Sequence, residues 1–290
     1  MNLTFENFVE EFNRFTEVVQ NKINIKDYYF IEPVGVGVLK ALIIENPDLD
    51  ICGDPSKPSY SYINTLLSVP YNKYKNYFPL EIVDFNNIEE NSMKIINLIV
   101  SSSSYTLKED DKEVLNGYLK YLTGELLNNA LYHSLSEINA VIAGQYFSKR
   151  GKIQICVIDR GKGFLFNLKE AYKVSAESDA IKKALEKGVS SPPCKDNLYY
   201  SVGHAGYGLY ALRRIIEEIN GRLIIISNNC SVKLEGGNIK ILSEEINWKG
   251  VIVVFELLET YIYDILQKYT LQDFFKIFLW NEDGKDDEIF

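Results

Sequence analysis

The chain has 290 residues, 46% of them hydrophobic, enough for one large or two modest domains with buried cores. A formal net charge of −9 argues against a broad nucleic-acid footprint and leaves protein or small-molecule partners as the expected classes. No run of about 18 apolar residues occurs, and the acidic, amphipathic start has neither the basic end nor the apolar core of a signal peptide, so a cytoplasmic protein without membrane attachment is expected. The four cysteines, Cys52, Cys156, Cys194 and Cys230, lie far apart with no paired spacing, and they read as reduced thiols rather than zinc ligands or disulfides.

In chain order, the first signal is Phe30-Ile-Glu-Pro33-Val-Gly-Val-Gly-Val-Leu39, a strand that breaks at Pro33 and turns into a helix through Leu42 and Ile44. The serine run 101–104, followed by acidic residues to Asp111, reads as a linker. It divides the chain into units at 1–100 and 105–258, with a tail at 259–290. Residues 112–134 contain no proline, and Leu115, Tyr118, Leu119, Leu122, Leu126 and Ala130 recur at helical spacing. Gly117 and Gly124 weaken that helix by roughly 1 kcal/mol each. Steps of four, three and four link Tyr118, Leu122, Glu125 and Asn129, so Glu125 and Asn129 stack one turn apart beside the buried stripe. An amide oxygen is a hard ligand for Mg²⁺, and a half-buried carboxylate nearby can polarise a water or hydroxyl aimed at a phosphate. A solvated polar flank is the alternative.

Residues 152–158 form a β-rich run whose later half is nearly all apolar, as for an interior strand, and Asp159 ends it. Gly161 and Gly163 follow. An acceptor beside glycines allows backbone to approach a flat ligand, although an ordinary Asp-Gly turn has the same composition. Residues 178–187 read as a short helix with Ala180, Ile181, Ala184 and Leu185 inward, and 188–201 as an irregular loop containing Pro192-Pro193 and Lys195. Gly203, His204, Gly206, Gly208 and Leu209 then lead into an apolar helical series, Leu212, Ile215, Ile216 and Ile219, that stops at Asn220-Gly221. A glycine-rich loop entering a helix is a phosphate cradle. Its spacing is neither a dinucleotide fingerprint nor a P-loop. A strand at 221–227, a hairpin around Gly236-Gly237 and a closing strand at 250–257 follow, then an aromatic-rich helix at 261–280 and an acidic end.

These three motifs in this order resemble the nucleotide-binding boxes of the GHKL ATPases, the group of gyrase B subunits, a heat-shock chaperone class, histidine kinases, mismatch-repair proteins and anti-sigma-factor kinases. The resemblance spans about residues 105–258. It implies a two-layer α/β sandwich with helices on one face of a mixed sheet, and ATP and Mg²⁺ as ligands. Asn129 would bind Mg²⁺ and Glu125 would be the general base. Asp159 would contact adenine, Gly161 and Gly163 would shape its pocket, Gly206 and Gly208 would border the phosphates, and Gly203, His204 and Leu209 of the same loop would be further nucleotide-binding residues. Residues 164–205 would be an ATP lid. The turn at Pro33 is similar to the strand-to-helix turn of STAS domains, implying a smaller α/β docking or regulatory domain over 20–95. The two serine positions of that turn are Pro33 and Val34 here, so it offers no phosphoacceptor. With only His133 and His204 present, and both beside the motifs, a complete sensor histidine kinase is not expected. Three functions follow: an ATPase whose lid closure regulates a protein partner or second copy, a serine/threonine kinase of anti-sigma type, or an ATP sensor without catalysis.

Overall fold

The computed structural model describes residues 1–68, 77–84, 86–102, 108–189 and 208–261. The N-terminal elements are β1 (Asn2–Leu3), α1 (Phe8–Phe15), β2 (Val18–Val19), β3 (Lys22–Asn24), β4 (Phe30–Ile31), α2 (Pro33–Glu45), β5 (Asp50–Cys52) and α3 (Pro58–Ser68). Then come β6 (Tyr77–Val83), α4 (Ile88–Ser102), α5 (Glu109–Asn128), one π-helical turn (Asn129–His133), β7 (Ala140–Phe147) and β8 (Lys152–Ile158). After them follow α6 (Gly163–Tyr172), α7 (Glu177–Ala184), α8 (Gly208–Glu218), β9 (Arg222–Ser227), β10 (Cys230–Glu235), β11 (Asn238–Ser243) and β12 (Val251–Leu258). Pro33 is the first residue of α2, where its missing N–H costs no hydrogen bond, and extended Glu32 precedes it.

Seven strands form one sheet in the order β11-β10-β9-β12-β8-β7-β6, and every neighbouring pair is antiparallel. The expected mixed sheet is therefore corrected. Its β10–β11 turn rests on Gly236 and Gly237, both at positive φ, the backbone a tight hairpin requires. Its edge strand β6 comes from the segment assigned by sequence to the N-terminal unit, and α4 behind it packs on α5. Ser101 and Ser102 close that helix rather than open a linker.

Helices on one face only are also corrected, because both faces are covered. Ile155, Val157, Ile225, Val253 and Phe255 join Leu126, Leu127, Leu212 and Ile216 in one core. Their neighbours Cys156, Ile158, Ile224, Ile226, Ile252 and Val254 join Phe12, Val34 and Val38 in a second. Alternate residues of the same strands thus feed opposite cores, which is why the later half of β8 and the middle of β9 and β12 read as apolar runs. Helix α2 lies so close to β8 that a Cβ on Gly37 would stand 2.8 Å from Ile158 Cδ1.

The N-terminal layer is fastened to the sheet by a buried polar seam. Lys152 donates to Glu32 (3.0 Å) and to Glu256, and Gln154 donates to the same two carboxylates at 2.7 and 3.0 Å. Glu32 also accepts from the Phe5 N–H at 2.7 Å, and Arg222 bridges Glu256 to Glu6.

Candidate functional site

Helix α5 holds its last α-helical turn with Leu126 and Leu127 buried, then widens into the π turn at Asn129. Such a bulge re-aims side chains and is common at functional sites. Glu125 and Asn129 stay half-buried beside the core residue Ala130. Gly208, first residue of α8, packs directly on Glu125: a Cβ there would stand 2.5 Å from the Glu125 carboxylate Oε2. The first and third motifs therefore meet through a glycine contact, not through a shared strand.

Asp159 lies past the end of β8 and is 4% exposed. Its Oδ1 accepts from the Gly161 N–H (2.8 Å) and the Val251 N–H (3.1 Å). Among the described residues none donates to Oδ2. Burial pushes the Asp159 carboxyl up to about 7, with the two backbone N–H groups and the charge of Arg160 acting in the opposite sense. Gly161 is set by packing against protein, since a Cβ would lie 2.0 Å from the Ser134 carbonyl oxygen. Gly163 begins α6 at φ +79 and presses on Asn228.

The N-terminus of α6 is closed by a residue that sequence reasoning passed over. Glu177, first residue of α7 and nearly buried, accepts from the Phe164 N–H (2.9 Å), the Leu165 N–H (3.2 Å) and the Ser227 hydroxyl. Asn228 donates to its other oxygen at 3.3 Å. A carboxylate already occupies this helix end, so an anionic ligand group would be repelled from it. Glu177→Ala should destabilise the protein by about 3 kcal/mol, because it removes the acceptor of four donors, of which only the Phe164 N–H (to Ser227 Oγ) and the Asn228 amide (to the Lys162 carbonyl) keep another. Urea unfolding would measure this, and amide exchange should place the lost protection at the start of α6.

Glu125, Asn129, Asp159, Gly163, Gly208 and Leu209 line one cleft, with Val157, Phe164, Leu168 and Val253 supplying apolar walls. His133 and Asn167 also face it, and Asn167 donates to the His133 carbonyl at 2.8 Å. Three sequence-distant segments thus converge, and Gly161 sits behind them. Gly203, His204 and Gly206 lie outside the described residues, as do Lys195, Pro192 and Pro193. Asn167 could have been found from sequence, because it stands four residues after Gly163 on one helix face. Glu177 carried no such signal.

No model of a known protein family matches the chain, and comparison with curated proteins found no match. The cleft's own chemistry is specific enough to narrow its ligand. An apolar slot closed by a carboxylate with one oxygen to which no described residue donates suits a flat ring that presents an N–H. The described residues form no cluster of three or more His, Cys, Asp or Glu able to hold a metal. A cation at the Asn129 amide oxygen would take most of its ligands from phosphate and water, which is the habit of Mg²⁺. No helix among the described residues is long and apolar enough to cross a membrane.

Proposed function

We propose that the protein binds ATP with Mg²⁺ in this cleft and hydrolyses it slowly, in the manner of the GHKL ATPases that its motifs resemble. One observation carries the reading: Glu125, Asn129, Asp159 and Gly208, picked from three separate motifs, line a single cleft. Adenine would enter between the apolar walls and give its amino N–H to Asp159 Oδ2. Asn129 would hold Mg²⁺, which would neutralise the phosphate charge. Gly208, the first residue of α8, packs on Glu125, so a phosphate bound at that helix start would have the Glu125 carboxylate beside it. Glu125 would take the proton of an attacking water, and Leu209 would border the phosphates. Regulation of a protein partner, or of a second copy, would follow from lid closure on ATP, with the N-terminal layer as the docking or regulatory unit.

The test is incubation with ATP labelled at the γ-phosphate, scoring free phosphate and protein-bound label separately. Glu125→Gln keeps the shape beside Gly208 and removes the base, so phosphate release should fall by about 100-fold or more while ATP still binds. Label on protein would put serine/threonine kinase activity in place of hydrolysis. ATP bound with neither product would leave a nucleotide-gated binding module, and absence of ATP binding would overturn the reading.

A further inference from the structure

We infer that Arg160 is a positioning residue for the cleft, and that the N-terminal layer holds it in place through Glu45 while Trp248 forms its floor. The inference rests on the proposed use of Asp159, its neighbour in sequence. Asp159 and Arg160 follow β8 as consecutive residues, so their side chains go to opposite faces of the sheet. Asp159 lines the cleft. Arg160 turns to the N-terminal layer, where its Nε donates to Glu45 at 2.9 Å, its Nη2 makes a second bond to the same carboxylate, and its guanidinium lies 4.1 Å over the Trp248 ring. Its side chain is 11% exposed.

Glu45 is the last residue of α2, the end of a helix where a carboxylate is disfavoured by the dipole. Two cations offset that placement, Arg160 and, at 3.5 Å, Lys249. Trp248 in turn meets Phe12 of α1 edge-on at 5.7 Å, so α1 and α2 both reach the arginine. Among the described residues, Arg14 and Glu17 also line the cleft beside Trp248 and Arg160. The backbone between Asp159 and Gly161 has no slack. A Cβ on Gly250 would stand 2.3 Å from the Asp159 carbonyl oxygen and 2.7 Å from the Arg160 Cα, while Gly161 abuts Ser134 on the other side. A displacement of Arg160 must therefore move Asp159. The nucleotide site and the N-terminal layer share this dipeptide, and binding at one biases the other by the same factor in both directions.

The experiment compares Arg160→Ala, Arg160→Lys and Glu45→Gln with the natural sequence in two ways. First, the Asp159 carboxyl is titrated by ¹³C NMR without nucleotide. Its midpoint should rise in Arg160→Ala, return in Arg160→Lys, and not rise in Glu45→Gln. Second, Mg-ATP affinity is measured with Trp248 emission recorded in a Trp280→Phe background. Arg160→Ala and Glu45→Gln should weaken binding about tenfold, raising KM for ATP more than they lower kcat. Arg160→Lys should keep the charge yet recover affinity only partly, because an ammonium neither stacks nor forks as guanidinium does. ATP should change Trp248 emission in the natural sequence and not in Arg160→Ala. An unshifted Asp159 midpoint in Arg160→Ala, or unchanged affinity in both Arg160→Ala and Glu45→Gln, overturns the inference. If the natural sequence binds no ATP, the proposed function fails, and the NMR titration still decides whether the charge of Arg160 acts on Asp159.

Discussion

Asp159→Asn is expected to abolish useful ATP binding while making the protein more stable. A buried acid whose carboxyl titrates near 7 instead of at its ordinary 3.8 is held in a fold that prefers it protonated. Between pH 3.8 and 7 the folded chain binds the proton and the unfolded chain does not. Stability therefore falls as pH rises through this window, and above 7 the full cost is present. That cost is at most about 4 kcal/mol. An asparagine retains an oxygen for the Gly161 and Val251 N–H groups and carries no charge, so the variant should gain stability at pH 8 and little near pH 4. Its Nδ2 would face the adenine amino group, donor against donor, and affinity should fall about 100-fold. Below pH 7 the natural protein should lose ATP affinity by roughly tenfold per unit, since adenine requires the carboxylate. Thermal unfolding and calorimetric titration across pH 5 to 8 check both halves. A variant that loses binding without gaining stability would show that Asp159 is not paying for its burial.

The residues that made this prediction possible were readable before any coordinates, for a definite reason. Glu125, Asn129, Asp159 and Gly208 sit at element ends or on a helix flank, where periodicity stops and a polar residue is conspicuous. The same is true of β9 and β12, whose apolar patterns are dense enough to place them within one residue, whereas α7 ends three residues before the expected 187. Strand β6 was not legible. Pro79 interrupts it, and the register shifts between Phe78 and Glu81, an arrangement that only an edge strand tolerates. The second covered face was hidden as well. In β8, Lys152 and Gln154 alternate with Ile153 and Ile155, a pattern usually written for a solvated face. Here the polar residues are buried because Glu32 meets them from more than a hundred positions away, a pairing no local window contains. Glu177 is of the same kind: its partners Phe164 and Ser227 come from two other elements.

Lys152→Met should cost about 3 to 5 kcal/mol, because it removes one member of a buried charge set and leaves the others behind. Glu32 and Glu256 are 0% and 3% exposed, and the Lys152 ammonium lies between them. Arg222 still faces Glu256 in the variant, whereas Glu32 keeps, as a cation among the described residues, only the exposed Arg150 at 3.9 Å, so the stranded charge is chiefly that of Glu32. A second substitution separates the charge effect from the loss of packing. Glu32→Gln keeps an acceptor for the Phe5 N–H and cancels the stranded charge, so the double variant should recover about 2 kcal/mol relative to Lys152→Met. The loss should lie at the join between layers. Amide exchange in Lys152→Met should accelerate first in β1 and α2, which Glu32 connects through Phe5 and the helix start, while β9 and β12 keep their protection. Uniform acceleration across the sheet would mean that the seam supports the whole sheet and does not serve to attach the N-terminal layer. If instead only the N-terminal layer loosens, the same variant should weaken ATP binding through Arg160, since α2 then no longer fixes Glu45.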